Sequence, residues 1–161
     1  MPPDPALVHL PVARELALEF LAVFSRLEFA LKVTNFRQPG EGEAKANWIG
    51  FANEIAAAFN PGRTPEIANA FAYLTGQPLR RFAVENGVLD WYPFTVPHGI
   101  SDAERVVRIV RQIRNNLFHG GKFARDPHAN AERDTKLLEA SLVVLRELRR
   151  LAPQVEEAYV R

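Results

Sequence analysis

An all-α fold is predicted for this chain, an up-and-down bundle of four to five main helices with an irregular insert ahead of a late helix. Three observations lead there. Apolar residues recur at alternating steps of three and four over long stretches, which places them on one face of an α-helix. Glycine and proline clusters fall between those stretches and not inside them. A length of 161 residues suits one domain, spanning 1–161, because such a chain buries roughly two-thirds of its unfolded surface around a single core.

The first main helix is predicted over residues 12–36, on the repeat of Leu16, Phe20, Phe24, Leu27 and Leu31, with Pro11 where a helix can begin. Gln38-Pro39-Gly40 breaks the pattern. A second helix, over 43–59, uses Trp48, Phe51, Ile55 and Phe59 and stops at Asn60-Pro61-Gly62. The third starts at Thr64, whose hydroxyl can cap a helix with Pro65 in its first position, and ends near Gly76.

Residues 77–100 are the least regular, with Pro78, Gly87, Pro93, Pro97 and Gly99 among aromatic residues. A helical turn or two over 79–85 and short strands around 88–91 are both compatible with this stretch, whose length in a compact domain is often functional. Ser101-Asp102-Ala103-Glu104 then matches a capping box, in which serine caps the third helical amide and glutamate reaches back to the cap's own amide. The helix it opens carries Val106, Val110, Ile113 and Leu117 to His119, where Gly120-Gly121 is a left-handed stop. After a loop over 126–131, a last major helix over 131–151 uses Leu137, Leu138, Leu142, Leu145 and Leu148, and Pro153 ends or kinks it.

Composition narrows function mainly by exclusion. The apolar fraction of 47% and charged fraction of 24% are ordinary globular values. A net charge of +1 argues against coating nucleic acid by charge alone, so any RNA contact must be local. Basic residues nevertheless concentrate in one region, at Arg105, Arg108, Arg111, Arg114, Lys122 and Arg125. The absence of cysteine excludes disulfides and thiolate chemistry. The opening residues lack the basic and apolar segments of a signal peptide, and no apolar run approaches the ~20 residues that span a bilayer. A cytoplasmic location is expected.

On a wheel of about 100° per residue, Arg114 lies at the edge of the apolar face of its helix, beside Val107, Val110 and Phe118. A guanidinium there requires a carboxylate, a phosphate or water. Glu28, on the margin of the first helix's apolar face, has two readings. In one it pairs with Arg114 across the two helices; in the other it faces solvent beside Ser25 and Lys32. At a helix end loosened by glycines the His119 imidazole can swing clear, and its pKa near 6.5 suits proton transfer. The alternative is a histidine that interacts only with the last carbonyls of the helix.

The segment Arg114-Asn115-Asn116-Leu117-Phe118-His119 resembles the arginine, polar residue, three variable positions and histidine of the HEPN superfamily. The opening helix, with Phe24-Ser25-Arg26-Leu27-Glu28-Phe29-Ala30-Leu31-Lys32, is similar to that of a plasmid- and chromosome-encoded toxin-like HEPN subgroup. The resemblance implies a four- or five-helix bundle with the motif at the end of a late helix. It also implies metal-independent cleavage of single-stranded RNA to a 2′,3′-cyclic phosphate and a 5′-hydroxyl. In that scheme His119 is the general base or acid, Arg114 stabilises charge on the phosphorane-like transition state, and Asn115 orients the site. A homodimer that sets two motifs across one cleft is implied too. The implied setting is a toxin-antitoxin, defence or stress system, with a nucleotidyltransferase-like or other antitoxin as partner.

Lys122 and Arg125, directly after the motif, are candidates for RNA phosphate contacts, against the plainer reading of solvated bases. Trp91 and Tyr92 either stack a base or cover the core. His98 and His128 have no partners at ligand spacing, so neither a metal site nor a cofactor is predicted. Phosphate-binding glycine loops and a GxSxG elbow are absent. The rival to a ribonuclease is a catalytically silent HEPN-like binding or scaffold module in which Arg114 and Glu28 lock the bundle.

Overall fold

The computed structural model describes residues 1–118 and 130–161. His119, Lys122 and Arg125, the glycine stop at Gly120-Gly121 and most of the loop expected over 126–131 lie outside the described residues. Among those described there are seven helices and two strands: α1 (Pro5–Val8), α2 (Arg14–Lys32), α3 (Trp48–Ile55), α4 (Pro65–Gly76), β1 (Arg80–Glu85), β2 (Val88–Pro93), α5 (Asp102–Phe118), α6 (Ala131–Arg150) and α7 (Pro153–Val160). The protein is therefore mostly helical, in approximate agreement with an all-α fold, with a small two-stranded antiparallel sheet in addition.

The hairpin replaces the irregular insert over much of its length, and strand replaces the helical turn expected over 79–85. Asn86 and Gly87 connect β1 to β2 with φ of 49° and 75°, the two successive positive values of a tight hairpin turn, which asparagine and glycine tolerate best. The register pairs Phe82 with Trp91 and Val84 with Leu89. Aromatic and β-branched residues at cross-strand positions stabilise such a pair, and the rings of Phe82 and Trp91 meet at 5.2 Å.

Helix boundaries follow local hydrogen bonding. Helix α2 stops at Lys32, earlier than the expected residue 36, and the Thr34 hydroxyl then donates to the carbonyls of Ala30 and Leu31. Helix α3 begins at Trp48 instead of 43, because the Asn47 side chain accepts from the Gly50 amide and an Arg37–Ala46 bridge holds the preceding loop closed. Thr64 caps α4 by accepting from the Ile67 amide at 3.2 Å, with Pro65 in the first position. Ser101 Oγ accepts from the Glu104 amide at 3.1 Å, but the Glu104 carboxylate accepts from Arg108 Nε at 2.8 Å, so the capping box forms by half. Pro153 ends the last long helix and opens α7.

Helix α2 packs on α6 and α7, α4 on α6, and α3 on α5. Their inward faces form one apolar core in which Phe20, Leu27, Leu31, Phe51, Leu145 and Leu148 are shut off from solvent. A buried carboxylate, Glu147 of α6, is matched by a two-point contact from Arg63: Nε donates at 2.7 Å and Nη2 at 2.6 Å. Hydrogen bonding and charge from Glu147 raise the Arg63 pKa above its ordinary value. Helix α7 is clasped to α2 by Arg26 Nε, which donates to the Tyr159 carbonyl at 2.8 Å. Among the described residues no helix is long and apolar enough to cross a membrane.

This packing predicts a sharp contrast between two leucines. Leu27→Ala, at a fully buried position, should cost about 2–5 kcal/mol in chemical denaturation, whereas Leu89→Ala on the exposed hairpin should stay within about 0.5 kcal/mol.

Candidate functional site

The chemistry-bearing residues gather at the C-terminal end of α5. This helix is amphipathic: Val106, Val107, Val110, Ile113 and Leu117 are buried, while arginines recur on the other side. The face is fixed by the core, since Phe118 in its last turn stacks on Phe20 of α2 with ring centroids 6.2 Å apart. Phe24, one turn along α2, stacks on Trp48 of α3 at 4.9 Å.

Arg114 is half-buried against this aromatic seam. Its guanidinium carbon stands 5.7 Å from the centroid of the Phe24 ring, within the range of attraction between a cation and the negative face of an aromatic ring. Arg114 Nη1 also donates to Asn115 Oδ1 at 3.2 Å. Arg114 and Asn115, two of the candidates named from the sequence, are therefore in contact. Asn115 itself is exposed.

Glu28 corrects the pairing drawn across the helices. Its carboxylate forms an ion pair with Lys32 at 3.2 Å, one turn along the same helix, in the favourable order of acid before base. Arg114 meets α2 one turn earlier, at Phe24. The arginine whose ionisation Glu28 affects is Arg111. Partial burial lowers the Arg111 pKa, Arg108 lowers it further, Glu28 opposes the shift, and Arg114 adds to it. Arg108, Arg111 and Arg114 thus form a row of positive charge along α5, in which Arg108 pairs with Glu104 at 2.7 Å.

Asn116 is the residue that sequence reasoning missed. It is buried, donates from Nδ2 to the Arg80 carbonyl at 2.8 Å and accepts from Gln112 Nε2 at 2.8 Å. It joins the end of α5 to the start of the hairpin. A signal for this existed, since at about 100° per residue Asn116 falls beside Ile109 and Ile113, where a polar side chain must find partners.

The aromatic residues of the hairpin, Trp91 and Tyr92, are half-buried, and the Tyr92 hydroxyl donates to the Val88 carbonyl at 2.7 Å within the hairpin itself. His98 lies between β2 and α5. Among the described residues, no three histidine, aspartate or glutamate side chains gather where they would hold a metal ion.

Comparison with protein-family models, with curated proteins and with solved structures finds no match.

The two neighbouring asparagines should respond differently to truncation. Asn116→Ala leaves the Arg80 carbonyl unpaired and should cost about 1–3 kcal/mol, with faster amide exchange in β1 and β2; Asn115→Ala should change stability by no more than about 0.5 kcal/mol.

Proposed function

We propose that the chain is a HEPN-type, metal-independent endoribonuclease that cleaves single-stranded RNA. What supports the reading is the Arg114-to-His119 motif together with the place of Arg114, at the last turn of a core-anchored helix in a mostly helical protein. Within the reading, the helices form the up-and-down bundle of that family, and the protein acts as a homodimer in the cytoplasm, in a toxin-antitoxin, defence or stress system. A nucleotidyltransferase-like or other antitoxin is its neutralising partner.

The proposed chemistry needs few groups. One His119 imidazole takes the proton of the ribose 2′-hydroxyl as its oxygen attacks the adjacent phosphorus. The bond from phosphorus to the 5′-oxygen breaks, and that oxygen receives a proton from the second imidazole of the dimer. Arg114, with a planar fork of donors that matches phosphoryl oxygens, stabilises the added negative charge on them in the transition state. Asn115, in contact with Arg114, holds that guanidinium in orientation. Lys122 and Arg125 are proposed contacts to RNA phosphates.

The second reading, a catalytically silent binding module, draws on the same contact between Arg114 and Phe24, because a guanidinium packed on a ring also serves a purely structural end. Cleavage of labelled single-stranded RNA in EDTA decides between them. Wild type should release 2′,3′-cyclic phosphate ends, and both His119→Ala and Arg114→Ala should lower the rate at least about 100-fold while the circular dichroism spectrum is kept. No cleavage across a broad RNA panel by folded wild type would leave the silent module.

A further inference from the structure

Helix α2 is apolar on two opposite faces. One is buried in the core through Phe20, Phe24, Leu27 and Leu31. At about 100° per residue, the opposite direction is occupied by Leu18, Leu21, Ala22, Ser25 and Phe29, and Val33 at the C-cap continues it. The exposures of the large residues there are 64% for Leu18, 40% for Leu21, 47% for Phe29 and 52% for Val33. A continuous exposed apolar strip of this kind marks an interaction surface.

The charges around the strip point to its occupant. Between Leu18 and Phe29 the strip's own positions are uncharged, and the Arg26 guanidinium stands 5.3 Å from the centroid of the Phe29 ring. The same helical wheel sets Glu15, Glu19 and Arg26 along one margin and Glu28 along the other, with Arg14 and Lys32 at the two ends of the strip on the Glu28 side. A two-fold axis normal to the helix lays each margin against the same margin of an antiparallel copy. With the axis midway between Leu21 and Ala22, Leu18 falls opposite Ser25 and Leu21 opposite Ala22, large residues against small. Arg26 then falls between Glu15 and Glu19 of the second copy, and Arg14 beside Glu28. Opposite charges thus face each other across the pair of helices, where Glu19 is also paired with Arg146, Glu28 with Lys32 and Arg26 with the Tyr159 carbonyl within each chain.

We infer that the outward face of α2 is the self-association surface, joined to α2 of a second copy in antiparallel fashion about Leu21 and Ala22. The inference deepens the homodimer of the proposed function by naming its surface, and it rests on that reading only in its consequence for Arg114. Phe24, which carries Arg114, lies round the helix on the side of the Arg14 and Glu28 margin. The two-fold axis keeps that margin on one side of the helix pair, so the arginines of both copies open on the same side.

The full chain should sediment as a dimer at micromolar concentration. Leu18→Glu with Phe29→Glu, both at exposed positions, should weaken association at least about 100-fold and leave helical content unchanged. Because the chain has no cysteine, Ala22→Cys should form a disulfide-linked dimer on mild oxidation, whereas Glu139→Cys on the surface of α6 should not. A monomeric wild type, or a dimer that survives the double substitution, overturns the proposal. RNA cleavage by a monomer would remove this surface but keep the nuclease; a dimer lost on double substitution that never cleaves RNA would keep the surface and remove the nuclease.

Discussion

The aromatic seam between α2 and the end of α5 is the constraint on which the rest of the candidate site depends. Phe20 receives Phe118, and Phe24 meets both Trp48 and the guanidinium of Arg114. Two helices, α3 and α5, are thereby brought to two neighbouring turns of α2. The seam fixes the rotation of α5 about its own axis, and that rotation decides which of its polar residues face outward. Arg108, Arg111 and Asn115 reach the surface, Asn116 turns inward to the hairpin, and Arg114 lies between. Position on the motif helix is thus set by apolar packing, with the charged groups carried along.

Electrostatics around the seam is local. Glu104 with Arg108 and Glu28 with Lys32 satisfy each other within a single helix, one turn apart. A half-exposed pair such as Glu28 with Lys32 contributes little to stability, and long side chains are cheaper to order over one turn than across an interface. Glu147, buried as Glu104 also is, differs in where its partner lies. Its partner comes from the far side of the chain, and the two-point contact of Arg63 matches both carboxylate oxygens. A carboxylate left alone at that depth would be strongly destabilising, so the loop that carries Arg63 is held wherever α6 is.

What could be read from the sequence follows the range of the forces involved. The existence and type of the long helices are written in repeats of core residues, and the start of α4 in Thr64-Pro65, because both are decided within a turn or two. The hairpin was misread over its first strand. Its strongest signal, Asn86-Gly87, lies between the second strand, compatible with the sequence around 88–91, and residues 79–85, whose pattern also suits a helical turn. Of the two readings of Glu28, the one beside Lys32 is found; a wheel gives direction but not axial height, and Arg114 reaches α2 one turn before Glu28. Asn116 is not marked by the motif, whose polar position is the exposed Asn115 beside it. The apolar outer face of α2 was present in Leu18, Leu21 and Phe29, but only burial by the fold distinguishes which of two apolar faces is already covered.

The clasp between α2 and the last two helices has a consequence during synthesis. Arg26 bonds a carbonyl 133 residues later, and Glu19 meets Arg146, 127 residues later. As the ribosome makes this sequence, α2 emerges well before the helices that cover its inner face. The part of its apolar inner face that α6 and α7 cover therefore waits until they arrive, and loop closure over so many residues is slow. Until then that face is transiently exposed apolar surface, of the kind through which incompletely folded chains associate.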